Sequence, residues 1–369
     1  MRDRGRETFI AVADIIDLNP MYVSFASDQL SFNIQNKMPI FNRYIEEVME
    51  SSNLLEAIEG LDKMINEDPR LADHLKSEVA ERLVKILKES DDEYVQRSAA
   101  YILSRAKFDT CGTIIREKAT PVLVDLMSSE SYLIAVPVVI TLTRLACASP
   151  DYVCVILDEG AFKVALEISR TTNPDCIMLA ELATFMAVVC RGKLLPNQEC
   201  LALTILDELL QRRWGSSLCL ERACFALSYL SYERHVGIKQ ETCKRLIQLT
   251  SHSKNSVAGP AFGVLANIAR WGTFDQIEIL AKDFEFLQCL GTCLLSCKPK
   301  KFQLEACQII SKLAAQSRAF TQDMHSTGLI DRLNGLLKVD ESDVKMEAGC
   351  AISVASAHVY QQWQSLEIC

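Results

Sequence analysis

The chain has 369 residues, 49% of them apolar, enough to bury a large core, and only 14 glycines and 10 prolines. So few chain breakers argue against a turn-rich sandwich and for long helices. The net charge of −9 makes it a poor non-specific binder of nucleic acid, which needs clustered Lys and Arg, although a local basic groove stays compatible with that charge.

The chain opens on a charged stretch, MRDRGRETF, with no apolar core of a signal peptide after it. Fifteen cysteines follow, an odd number. Most sit in apolar helical patterns, such as Cys224, Cys243, Cys289, Cys293 and Cys307. They are expected to be reduced thiols acting as small hydrophobes, in a protein of the cytoplasm and nucleus. Residues 1–50 lie outside any repeat and read as a segment partly disordered or capping. Within them 9–33 is ambiguous, while 41–64 reads as helical.

Residues 51–358 repeat one phrase: an apolar helix of the LVKIL type, a short polar break, then a helix rich in small residues. RLVKILKESDDEYVQRSAAYILSRA, RLIQLTSHSKNSVAGPAFGVLANIA and RLNGLLKVDESDVKMEAGCAISVASA are three copies. Anchors at Leu83, Leu123, Val164, Leu206, Leu246, Leu290 and Leu333 are spaced by 40, 41, 42, 40, 44 and 43 residues. That spacing is the armadillo/HEAT period of roughly 40–47. Apolar residues at i, i+3, i+4 and i+7 mark helices buried on one face. Ala99, Ala100, Ala223, Ala261, Ala306 and Ala348 let neighbouring helices approach closely. Short helices ending at Gly160 and Gly328 stand before two of the LVKIL-type helices, where glycine supplies a left-handed turn. Three helices per unit, the first short, is the armadillo pattern. The expected fold is therefore all-α, a right-handed superhelical solenoid of about seven armadillo repeats plus a partial one. Residues 359–369 form a C-terminal tail. The most apolar run, 134–148, holds Pro137 and Arg144 and is shorter than the ~20 residues a membrane span needs.

Catalytic and metal patterns are missing. His74, His235, His252, His325 and His358 are scattered, with no HExxH and no zinc spacing. Cys289, Cys293 and Cys297 recur every fourth residue and read as helix packing rather than as a metal stripe. No phosphate-binding glycine loop or nucleophile elbow occurs. No catalytic residue, metal or cofactor is expected, and the chain is not read as an enzyme.

The phrases ERACFALSYLS, FMAVVCRGKLLP, FGVLANIA, QLEACQIISKLAA and VKMEAGCAIS resemble, in repeat order, those of importin-α, the armadillo adaptor of nuclear import. The resemblance runs from about residue 50 to 358. It implies a concave groove holding an extended import-signal peptide. In that family each third helix carries a Trp and, four residues on, an Asn, so that both face the groove. The Trp faces would hold Lys and Arg stems, and the Asn amides the peptide backbone.

Carried over residue by residue, those pairs fall on Tyr101 and Arg105, Ile140 and Arg144, Thr184 and Val188, and Phe225 and Tyr229. They continue at Gly263 and Asn267, Gln308 and Lys312, and Cys350 and Val354. Asn267 matches, and Phe225 with Tyr229 keeps the aromatic character. Trp214, Trp271 and Trp363 occupy no ladder position, and an expected acid is Ala148. Glu305 and Glu347 match positions beside the family's smaller basic-peptide pocket; caps or pairs within the repeat are their other reading. Arg105, Arg144 and Lys312 oppose a basic peptide by like charge. Arg105 and Arg144 fit two readings, a solvated helix face or an acidic-peptide site. The importin-β-recruiting segment of the family has only a weak counterpart in Arg2, Arg4, Arg6, Lys37 and Arg43, which puts that partner in doubt. The expected partner is a protein or peptide in the groove, not nucleic acid or membrane. The alternative is an armadillo scaffold that has lost import-signal binding and holds a different, acidic, protein.

Overall fold

The computed structural model describes residues 27–50, 53–106, 112, 119–171, 175–212, 216–232, 235–295 and 300–366. The N-terminal run MRDRGRETF, Cys297 and Trp214 lie outside them. So does most of the 9–33 stretch. Every regular element among the described residues is helical. They form two compact units, Met1–Val164 and Ala165–Cys369.

In the first unit, α1 (Ser27–Glu50) packs on α2 (Leu54–Glu67). Between them Asn53 turns left-handed, with φ 54°. A 3-10 turn (Pro69–His74) leads to α3 (Ser77–Glu89) and α4 (Glu93–Arg105), then α5 (Thr120–Leu126), α6 (Tyr132–Ala148) and α7 (Pro150–Asp158). Helices α2, α4 and α6 pack side by side as one layer, with α3 and α5 behind them. The α2 face Ala57, Ile58, Leu61, Ile65 is buried, the three-and-four spacing that the repeat phrase requires. Each such aliphatic side chain, fully buried, contributes about 1.5–3 kcal/mol of transfer free energy.

Helix α8 (Ala161–Arg170) straddles the division between the units. The second unit continues with α9 (Cys176–Val189), α10 (Pro196–Gln211), α11 (Ser217–Ser231), α12 (Gln240–Thr250), α13 (Asn255–Trp271) and α14 (Phe274–Lys282). It ends with α15 (Phe284–Cys293), α16 (Lys300–Gln316), α17 (Arg318–Ser326), α18 (Leu329–Leu336) and α19 (Ser342–Leu366). Helices α9, α11, α13, α16 and α19 stack in order, and α10, α12, α15 and α18 form the layer behind. The last helix thus runs on past residue 358, through most of the segment read as a tail.

The triplet with a short first helix is complete in α7–α8–α9, α14–α15–α16 and α17–α18–α19. Gly160 at φ 88° and Gly328 at φ 71° make the left-handed turns between first and second helices, as their positions predict. Among the described residues, the fourth and fifth repeats depart from the expected triplet. In the fourth, a single 16-residue helix, α10, replaces the first two. In the fifth, residues 235–239 are not helical. The side chain of Gln276 closes this gap: its Nε2 donates to the carbonyls of Val236 and Ile238, both at 3.0 Å.

An arginine recurs at the junctions. Arg82, Arg245 and Arg332 each stand one residue before an anchor leucine and reach back to the previous repeat. Arg82 Nε donates to the Val48 carbonyl at 3.1 Å and Arg245 Nε to that of Leu210 at 2.9 Å. Arg332 donates to the Gly291 carbonyl, and Arg212 to those of Ser169 and Thr171. Each carbonyl lies at a helix C-terminus, where the chain leaves acceptors unpaired and the dipole favours a cation.

The cysteines divide by depth. Cys190, Cys219, Cys224, Cys243 and Cys307 are buried. Burial pushes the thiols of Cys219, Cys243 and Cys307 up to about 12, so they are neutral packing groups. Cys289 and Cys293 are half-buried, nearer the surface than core packing implies.

Candidate functional site: the third-helix face

The pairs that the resemblance carries over stand four residues apart, one turn above the other, on each third helix. In the first unit these are Tyr101 and Arg105 on α4, and Ile140 and Arg144 on α6; all four are half-buried. The Tyr101 hydroxyl donates to Asn66 Oδ1 at 3.1 Å, and the Arg105 guanidinium lies 5.2 Å from the Tyr101 ring centroid. Arg144 Nη1 donates to the Ser104 carbonyl at 3.2 Å, and Nη2 to that of Ala106. Arg144 therefore caps the C-terminus of α4. Neither a solvated face nor an acidic-peptide site anticipates this, because the capped carbonyls belong to the neighbouring repeat, 38–40 residues away.

In the second unit Thr184, Phe225, Tyr229, Gly263, Gln308 and Val354 are half-buried, Val188 is buried, and Lys312 and Cys350 are exposed. Thr184 Oγ1 turns back to the Ala180 carbonyl of its own helix at 2.9 Å. Burial pushes the Tyr229 phenol above its ordinary pKa, against the pull of Arg191 and Arg222. Gly263 leaves open space, with nothing within 4 Å of where a side chain would begin.

Asn267, the one Asn that keeps its ladder position, is only 7% exposed. Its Nδ2 donates to the Ser228 carbonyl at 3.1 Å and to Ser231 Oγ at 3.2 Å, both on α11. The amide thus ties two third helices together, and its donors point at the protein itself.

The C-terminal part of this face gathers polar groups from three helices. Arg270 on α13 donates from Nη2 to Gln308 Oε1 at 2.7 Å. Gln308 on α16 donates from Nε2 to Glu347 Oε1 on α19 at 3.3 Å. Glu305, one turn before Gln308, is half-buried. Burial raises its carboxyl pKa, opposed by Lys301 and Arg270. Glu347 thus bonds to the preceding repeat, whereas its second sequence reading is a cap or pair within its own repeat.

The sequence reading missed Arg270, Asn66 and Arg222. Arg270 follows Asn267 by three residues, a spacing that puts it on a neighbouring stripe of the same helix. Arg222 stands three residues before Phe225, the register that Glu305 and Glu347 occupy before Gln308 and Cys350. Burial lowers its pKa, while Glu221 and Glu181 support the charge. Among the described residues no group of three or more His, Cys, Asp or Glu could hold a metal, and no helix is long and apolar enough to cross a membrane.

Comparison with known proteins agrees with the armadillo repeat. Importin subunit alpha-3 of Arabidopsis thaliana is 32% identical over 270 residues, 70% of this chain and 50% of the relative. Importin subunit alpha-1a of Oryza sativa is 30% identical over 278 residues, 73% of this chain and 52% of the relative. The chain is a divergent importin-α-like armadillo protein. It spans about half the length of these curated relatives. No protein-family model matches it. An engineered protein of known structure superposes with a TM-score of 0.60 at 21% identity, covering 82% of this importin-α-like chain and 71% of its own, a likeness of fold.

Proposed function

We propose that this chain is a non-catalytic adaptor of nucleocytoplasmic transport that receives a basic, extended protein segment on the third-helix face of its second unit. The observation that carries this reading is the half-buried Glu305 beside the Arg270–Gln308–Glu347 chain. A carboxylate held partly out of water, against its own desolvation, gains most when a cationic side chain arrives. The names of the relatives support the transport role. By the resemblance, Glu305 and Glu347 match positions beside the family's smaller basic-peptide pocket.

The first unit favours a second reading, a scaffold for an acidic protein. Its ladder positions hold no acid, and Arg105 stands at one of them against the Tyr101 ring. One titration separates the two. A labelled bipartite basic import-signal peptide and an acidic peptide of equal length are each titrated into the full chain at physiological salt and read by anisotropy. The adaptor reading expects the basic peptide to bind, and E305Q/E347Q to weaken it at least tenfold. Binding of the acidic peptide alone, or basic binding indifferent to E305Q/E347Q, would overturn it.

A further inference from the structure

An exposed apolar residue recurs at the first turn of the third helices in both units. The second residue of α2, α6, α9 and α11 is Leu55, Leu133, Ile177 and Leu218. These side chains are 50%, 60%, 57% and 42% exposed, among the most exposed large apolar residues of the chain. Tyr94 holds the same place on α4, half-buried, with the Arg97 guanidinium 4.3 Å from its ring centroid. In the last three repeats the position carries Ser256, Lys301 and Asp343, all exposed. Packing therefore does not demand an apolar residue there, yet the first five third helices all have one. Scattered apolar surface is ordinary; a register-locked row is not.

In the first unit the row is continuous. Ser98 and Tyr101 of α4 bond to Asp62 and Asn66 of α2, and Arg144 near the end of α6 bonds to the end of α4. The three helices therefore run parallel, level to within about a turn. Packed helices lie roughly 8–10 Å apart, so Leu55, Tyr94 and Leu133 recur at about that interval. The flanking charges are acidic: Glu56 beside Leu55, Asp92 and Glu93 beside Tyr94, and Glu130 before Leu133. Among the described residues, cations near this edge include Arg97, stacked on Tyr94 and 3.9 Å from Asp62, Lys88 at the end of α3, and Arg82, bonded to the Val48 carbonyl at the end of α1.

We infer that the first-turn edge of α2, α4 and α6 docks a basic amphipathic helix of a partner protein, with apolar anchors at seven-residue intervals. Seven residues of α-helix rise about 10 Å, which matches the pitch of the row, and Lys or Arg flanking the anchors would meet the acids. This edge is separate from the Glu305 face and does not depend on it.

The probe is a capped peptide of about 18 residues, three leucines seven apart, lysines on the flanks and alanine elsewhere. It is titrated into the full chain by anisotropy, beside a scramble of itself and a version with glutamate for lysine. The expected result is micromolar binding of the lysine probe and at least tenfold weaker binding of both controls. L55S/L133S should weaken the probe at least tenfold at an unchanged melting midpoint, since serine already occupies this exposed position at Ser256. E305Q/E347Q should leave probe binding unchanged. Failure of the probe to bind, equal binding of the scramble, or indifference to L55S/L133S would each overturn the inference.

Discussion

Glu305 shows how a single side chain can cost stability at a position where the proposed basic segment would offset it. Its carboxyl pKa is raised above the ordinary 4.5, because burial penalises the ionised form. The folded state therefore holds its proton to higher pH than the unfolded state does. Stability contributed by this group is greatest below 4.5 and falls as pH rises through the raised value. Glu305→Gln removes the titration. It should leave denaturant stability near wild type at acid pH and raise it at neutral pH, seen as a higher urea midpoint with the same slope. A basic peptide should bind wild type more tightly as pH rises through the same window, and that slope should be absent in Glu305→Gln. A variant less stable than wild type at neutral pH would mean that the carboxylate is structural.

Asn267 makes the opposite point at the same scale. Its place at the family's Asn position was legible from the resemblance. The direction of its donors was not, because that depends on Ser228 and Ser231, some 36–39 residues earlier. Arg144 was misread for the same reason: its acceptors are carbonyls, which carry no mark in the sequence.

At the scale of the element, the repeat was legible because each unit must bury the same stripe, and the anchors from Leu83 to Leu333 keep that stripe in register. The departures were not legible, since they replace one helix with another backbone path of equal polarity. The fifth repeat is the clearest case. With no first helix, its 235–239 backbone depends on Gln276 of the next repeat. That side chain also accepts from the Thr273 backbone N–H at 3.0 Å, completing the cap of α14. Gln276→Ala would leave buried carbonyls without this donor and remove half of a capping box, for a loss of about 2–3 kcal/mol. Thr273→Ala removes only the cap and should cost about 1 kcal/mol. Urea unfolding of both variants decides the point: equal losses would mean that the Val236 and Ile238 carbonyls find water, and that Gln276 is no clamp.

At the scale of the molecule, the architecture governs how damage spreads. Within each unit the third helices pack on one another in order, and the arginine caps reach back one repeat only. Stability in such an array is close to a sum of repeats and nearest-neighbour interfaces, and opening is local. Leu246 lies fully buried in α12. Leu246→Ala should cost about 2–5 kcal/mol, and by 1.4 kcal/mol per tenfold that lowers amide protection by about 30-fold to several thousandfold. Hydrogen exchange should show the loss in α10 to α13, with α18 and α19, two repeats on, changed by less than about threefold. A uniform fall across the second unit would instead mean that it unfolds as one body. That outcome would carry over to binding. In a nearest-neighbour array a ligand bound around Glu305 and Glu347 protects α13, α16 and α19 and leaves α2 and α4 as they were. In a single cooperative body the same ligand would stabilise the whole unit that holds it.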